Sequence, residues 1–157
     1  MTFRRIIKMQ TKITKIPHDK PELIEIQCHS VSDEVREIVA FVKSRQGRVS
    51  GMADDKMYEI AVVDISYIEA VDNKIFIYTD KDVYESRQKL YELEDILKKK
   101  HFLRISKSML LNLMKVDAIT PALNSKFTAV LFSGEQVVIS RKYVPDLKKA
   151  LKGEIVK

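Results

Sequence analysis

Hydrophobic and polar positions change period several times along the chain, and each change marks an element. Residues 22–28 alternate: after Leu23, the apolar Ile24, Ile26 and Cys28 are separated by polar Glu25 and Gln27, the pattern of a half-buried strand. Ser32-Asp33-Glu34 then supplies a hydroxyl cap and acids for the positive end of a helix dipole. Val35, Ile38, Val39 and Val42 follow at helical spacing, and Gly47 is a natural stop. Residues 22–50 therefore read as strand–helix with a returning strand at 48–50. Upstream, Thr11, Ile13 and Ile16 hint at a strand, and Pro17 and Pro21 bracket a turn.

Beyond a polar stretch at 51–56 that reads as a connection, the period falls to two. Strands are expected over 57–63, 65–71 (with Ile65, Tyr67 and Ala70 as core), 75–79 and 83–84, separated by turns at Asp72-Asn73 and at 80–82. One helix interrupts this meander. Leu90, Leu93, Ile96 and Leu97 share a face, and Lys98-Lys99-Lys100 lies at its negative end. Residues 102–105 read as a short strand and 109–113 as strand or helical turn. Residues 118–123 and 126–132 flank a hairpin turn at Asn124-Ser125, and Ser133-Gly134 leads into a strand at 136–139. Residues 143–152, with Pro145 near the start and Gly153 after the end, read as a closing helix. The expected class is mostly β (α+β).

Composition narrows the function. With 45% hydrophobic and 32% charged residues among 157, the chain is globular, and one domain with a short appendage fits its length. No apolar run approaches the roughly 18–20 residues that span a bilayer. Ile6-Ile7, between Arg4, Arg5 and Lys8, is too short for a signal-peptide core, so a cytoplasmic location is expected. Cys28 is the only cysteine, which rules out an intrachain disulfide and a Cys-based zinc site within one chain. The net charge of +6 is unevenly spread. Residues 51–100 carry 8 basic and 12 acidic side chains, whereas residues 101–157 carry 10 basic and 4 acidic. A polyanion partner and a merely solvated lysine-rich surface both fit that bias.

Enzymatic chemistry is thinly represented. His18, His29 and His101 are isolated, and Cys28 and His29, adjacent on an alternating segment, point to opposite faces. The four glycines form no phosphate-binding loop. Asp54-Asp55 and Glu92, Glu94 and Asp95 lack calcium-ligand spacing and read as turn acids and a solvated helix face. No enzyme activity, cofactor or metal is expected.

Two stretches join cations and hydroxyls at expected strand ends: Arg104-Ile105-Ser106-Lys107-Ser108, and Ser140-Arg141-Lys142. Hydroxyls and exposed backbone N–H groups at such places suit phosphate oxygens, and Arg and Lys reach both phosphates and guanine edges. On spacing alone, a turn cap at Ser140 and a solvated Lys107 remain an equally structural alternative.

Ile65-Ser66-Tyr67-Ile68-Glu69-Ala70, Asn73, Leu90-Tyr91-Glu92-Leu93-Glu94 with Leu97, Phe102-Leu103 leading into the 104–108 stretch, Asn112, and Val138-Ile139 leading into Ser140-Arg141-Lys142-Tyr143 follow one another in order and with fitting gaps. Together they give residues 57–152 a resemblance to a LytTR-type DNA-binding domain. It implies small antiparallel sheets with a short helix, whose loops rather than a recognition helix enter successive major grooves of double-stranded DNA at promoter repeats. Carried over by residue, it implies a first loop at Asn73-Lys74. A second spans Arg104 to Ser108, with Ser106 in it, Lys107 at the base-reading position and Ser108 at a phosphate. A third has Ser140 at a phosphate and Lys142, with Arg141, at bases. Lys107 stands where some members carry an amide or histidine, which leaves the preferred base open.

The expected division is an extension at 1–52, for interaction or dimerisation or simply packed on the rest, and a DNA-binding domain at 53–153. The part before the resemblance is too short for the phosphoacceptor receiver that many members carry, so the arrangement resembles stand-alone regulators. These are expected to act as homodimers and to be restrained by a small membrane protein. The alternative is a protein-interaction module of the same fold that binds an acidic or membrane-protein partner.

Overall fold

The computed structural model describes residues 9–152. The basic residues 4, 5 and 8 and the expected helix stop at Gly153 lie outside them. Residues 9–32 form no helix or strand apart from a tight turn in which the Lys20 amide donates to the Pro17 carbonyl at 3.1 Å. The strand expected over 22–28 is therefore not formed. Alternation alone does not make a strand without a neighbour to take its ladder bonds, and here Leu23 and Ile24 remain 73% and 69% exposed.

The ordered elements begin with helix α1 (Asp33–Arg45), capped as expected by the Ser32 hydroxyl, which accepts from the Val35 amide at 3.3 Å. Gly47 follows at φ +97°, a left-handed conformation open to glycine at little cost. Strands β1 (Arg48–Ala53), β2 (Lys56–Ala61), β3 (Ile65–Val71), β4 (Lys74–Thr79) and β5 (Val83–Ser86) precede helix α2 (Leu90–Leu97). Then come β6 (Phe102–Ser106), β7 (Met109–Asn112), β8 (Val116–Pro121), β9 (Phe127–Leu131), β10 (Gln136–Ile139) and helix α3 (Val144–Lys152).

The stretch at 51–56 is not a connection. It is the end of one strand, a two-residue turn and the start of the next, with Ala53 paired to Lys56 across Asp54-Asp55. Both turn residues have positive φ, as tight hairpin turns that match strand twist require. Residue 52, where the N-terminal extension was expected to end, lies inside β1.

All pairings are antiparallel. Seven strands form one sheet in the order β2-β1-β5-β4-β3-β7-β6, and three form a second in the order β10-β9-β8. The large sheet is covered on both faces. Ile68, Ile77 and Leu110 pack with Leu93 and Leu97 of α2 on one side. Tyr67, Ile105 and Leu111 pack with Ala129, Leu131 and Ile139 of the small sheet and Leu147 of α3 on the other. Strands buried on both faces lose their alternation, which is why 109–113 is ambiguous in sequence: Leu110 and Leu111 point to different cores and both are fully buried. Ile96, expected on the inner face of α2, is 52% exposed, because Leu90, Leu93 and Leu97 already fill the contact.

Candidate nucleic-acid interface

The register of the large sheet decides where the basic loops lie. β7 runs antiparallel to both neighbours, with Glu69 of β3 and Ser106 of β6 each opposite Met109. The β3–β4 turn and the β6–β7 loop therefore emerge at the same end of the sheet. Two backbone hydrogen bonds then join all three segments. The Ala70 amide donates to the Ser108 carbonyl at 2.8 Å, and the Ser140 amide donates to the Ile105 carbonyl at 2.8 Å. The structure thus brings together the three segments expected from sequence.

Each segment owes its shape to its residues. Asp72 and Asn73 form a two-residue turn between paired Val71 and Lys74, with φ of 51° and 65°. Asn and Asp tolerate that left-handed region better than most residues. Asn73 and Lys74 are both exposed.

In the second segment, the fully buried Ile105 anchors the strand end. The Ser108 amide donates to the Ser106 hydroxyl at 3.2 Å, and the two hydroxyl oxygens are 3.4 Å apart. Lys107 is left exposed at the tip between half-buried Ser106 and Ser108.

In the third, Ser140 leads into a single 3-10 turn, Arg141–Tyr143, closed by the Tyr143 amide donating to the Ser140 carbonyl at 2.9 Å. The Ser140 side chain makes no capping bond to this turn, so its hydroxyl is not spent as a cap. Arg141 and Lys142 are exposed, and the Lys142 ammonium lies 5.6 Å from the centre of the Tyr143 ring, within cation–π range.

Arg104 is placed differently from the other cations. It is half-buried, and its guanidinium donates to the Ser106 carbonyl at 2.8 Å, to the Lys107 carbonyl, and to Glu94 of α2 at 2.6 Å. All three interactions bind it to the loop or to the helix beneath. By contrast, Lys74, Lys107, Arg141 and Lys142 take part in none of the ion pairs found among the described residues. The loop end thus carries cations that no carboxylate among the described residues pairs with.

Glu94 is a supporting residue that sequence reasoning missed. It reads as part of a solvated acidic helix face, and only the tertiary fold sets it against an arginine ten positions away.

Behind the loops, the two sheets are joined through Tyr67. Its hydroxyl donates to Glu135 at 2.5 Å, and its ring stacks on Tyr78 with centroids 4.5 Å apart. Burial, reinforced by the bond to Glu135, pushes the Tyr67 hydroxyl well above the ordinary tyrosine pKa; burial, then Glu69, raises Tyr78 as well. Among the described residues no three His, Cys, Asp or Glu side chains converge as metal ligands, and no helix is long and apolar enough to cross a membrane.

Comparison with known proteins agrees with this architecture. The LytTr DNA-binding domain family matches residues 55–152. The chain is 26% identical over 130 residues to the sensory transduction protein LytT of Enterococcus faecalis, covering 83% of this chain and 54% of that protein. It is 29% identical over 99 residues to LytT of Bacillus anthracis, covering 63% of this chain and 40% of that one. The chain thus spans about half or less of the length of these relatives. A Staphylococcus aureus protein described as an uncharacterized HTH-type transcriptional regulator is 25% identical over 130 residues, covering 82% and 88% of the two chains. The solved LytTr DNA-binding domain of a Bacillus cereus response regulator superposes with a TM-score of 0.64 at 27% identity, over 67% of this chain and 96% of that one. This is a family of DNA-binding domains, not a class of enzymes, and with more than half of its length matched the chain belongs to the LytTR DNA-binding domain family.

Proposed function

We propose that this chain regulates transcription by binding specific sites on duplex DNA, with its three loops entering the major groove. The observation that carries the reading is the pair of backbone hydrogen bonds, Ala70 to Ser108 and Ser140 to Ile105, that gather three cation-bearing loops at one sheet end.

On this reading Lys107 and Lys142, with Arg141 beside it, reach base edges. Ser108 and Ser140 donate their hydroxyls to phosphate oxygens. Asn73 and Lys74 meet the flanking backbone. Arg104 acts one step back: with Ser106 it fixes the loop that presents Lys107. Phosphate neutralisation supplies most of the affinity and base contacts supply the discrimination. Paired half-sites are occupied by two copies of the chain.

The test is a binding titration on the DNA upstream of its own gene, against scrambled duplex, at several salt concentrations. Lys107→Ala and Lys142→Ala are each expected to lose about 1–3 kcal/mol of preference for the specific site, with unchanged folding by circular dichroism. Wild-type preference in both variants across the salt series defeats the site assignment.

A further inference from the structure

A second cluster of cations lies at the other end of the same strands. β6 and β7 run from Lys107 and Ser108 back to His101 and Leu113, with Phe102 opposite Asn112. The five residues of β6 at about 3.3 Å each set the two ends roughly 16 Å apart. A cleft of about 680 Å³ opens at this far end, between the large sheet, the β9–β10 turn, the end of α1 and the N-terminal segment. Its volume falls in the range of small-ligand sites.

Burial sorts its lining. Val62, Ser66, Asn112 and Leu131 are buried and make the floor. That floor is rigid: the Asn112 amide donates to the Ile65 carbonyl at 2.9 Å and accepts from Met114 at 3.0 Å. The rim combines two kinds of exposed side chain. Arg45, Lys99 and Lys100 enter none of the ion pairs found among the described residues, and half-buried Lys115 pairs with Asp80 at 3.9 Å; Glu22 and Asp80 are the acids of the lining, which the four cations outnumber. Leu23, Met114 and Phe132 share the lining with these cations and are 73%, 50% and 69% exposed. Exposed apolar side chains around a concave site mark a surface built to be covered. Unpaired cations facing the same concavity raise the local concentration of anions.

We infer that this cleft binds a small organic anion with an apolar body, such as an aryl sulfonate or a medium-chain carboxylate. The anionic head sits against Arg45, Lys99 and Lys100, and the apolar body covers Leu23, Met114 and Phe132. Because the cleft and the DNA loops occupy opposite ends of β6, the ligand and duplex DNA bind without displacing one another.

The probe is 8-anilinonaphthalene-1-sulfonate, titrated into the full chain and followed by its fluorescence. Saturable binding at one site per chain is expected, with displacement by decanoate but not by duplex DNA. Lys99→Gln with Lys100→Gln weakens it at least fivefold, and so does Phe132→Ser. All of these side chains are exposed, so the variants fold, and circular dichroism checks this. Lys107→Ala binds the probe as wild type does. The inference is overturned by non-saturable binding, by equal affinity in the lysine double variant, or by displacement with DNA. It is also overturned if uncharged N-phenyl-1-naphthylamine binds equally well. Co-sedimentation with phosphatidylglycerol vesicles that needs Lys99 and Lys100, while probe affinity does not, would assign the cluster to a membrane surface instead.

Discussion

Replacing Arg104 by alanine removes three bonds at once and distinguishes a residue that shapes the DNA-facing loop from one that touches DNA. Hydrogen bonds from a charged donor contribute about 1.5–3 kcal/mol each where water is excluded. Here Glu94 is 40% exposed and the loop carbonyls can be rehydrated, so the summed loss of global stability is discounted to roughly 2 kcal/mol. The larger effect is on the loop. Ile105 stays anchored by burial and by its carbonyl's bond to Ser140, and Ser108 by the Ala70 amide's bond to its carbonyl, which leaves Ser106 and Lys107 freer to move. Fixing these two residues again on binding costs about 1 kcal/mol each. At about 1.4 kcal/mol per factor of ten, affinity for the specific site falls roughly thirtyfold.

Fluorescence anisotropy with a labelled duplex between 50 and 200 mM salt reads this directly. If Arg104 acts by positioning, the loss is the same at every salt concentration, because no phosphate contact has been removed. Glu94→Gln then weakens binding in the same direction, by a few-fold. If instead Arg104 touches a phosphate, the slope of log affinity against log salt becomes shallower by about 0.9. Glu94→Gln, by releasing the arginine, then strengthens binding. Either of those two results refutes the positioning role.

Two further outcomes concern the fold. Tyr67→Phe deletes the inter-sheet bond to Glu135 and should cost about 1–2 kcal/mol in a urea titration. The Tyr67 hydroxyl has its pKa raised in the folded protein, so the folded state holds that proton where the unfolded chain releases it. The associated stability is therefore complete below the ordinary tyrosine pKa near 10 and is lost as pH climbs above it. Wild-type stability should fall with pH in that alkaline window more steeply than the phenylalanine variant's, and parallel curves would show that Tyr67 is not the source. Gly51→Val brings a Cβ to 2.7 Å from the Ile60 Cδ1 and 2.8 Å from the Tyr84 Cβ. It should lower the denaturation midpoint by the equivalent of about 1–3 kcal/mol, and an unchanged midpoint would mean that β1 and β5 separate without cost.

How much of this the sequence disclosed follows from what each element depends on. Asp72-Asn73 and Asn124-Ser125 were legible as turns because the required left-handed backbone is written in their own side chains and flanked by β-branched runs. Asp54-Asp55 has the same conformation but reads as part of a connection. Gly51 and the surrounding polarity conceal a strand that forms because β2 pairs with it along its whole length, with Ile60 and Tyr84 closing on Gly51. The segment at 22–28 failed in the opposite sense: its alternation was clear, yet no strand lies beside it. The cations at 107 and 142 could be found because charge stood next to strand ends, a local signal. That Arg104 faces the protein rather than solvent could not be found, since its partners are carbonyls and a helix residue from another element.

The same charges bear on which element meets DNA. The exposed surface of α2 carries Glu92 and Asp95, with Glu94 half-buried beside them, and repels phosphate. Its inner face is committed to the core through Leu90, Leu93 and Leu97. α3 presents Lys148 and Lys149, but Val144 and Leu147 hold its nine residues in the core beside β6, and Lys148 lies 5.9 Å from the centre of the Phe127 ring. A helix pinned in this way adds positive field beside the third loop but cannot enter a groove without uncovering the core. Loops bear no such burden. Only strand ends fixed from behind, as Ile105 and Ile139 are by full burial, can carry lysines outward at a defined spacing. On the proposed function, the double-faced core is therefore what makes a loop-borne interface specific: it supplies the rigidity that a recognition helix would otherwise provide.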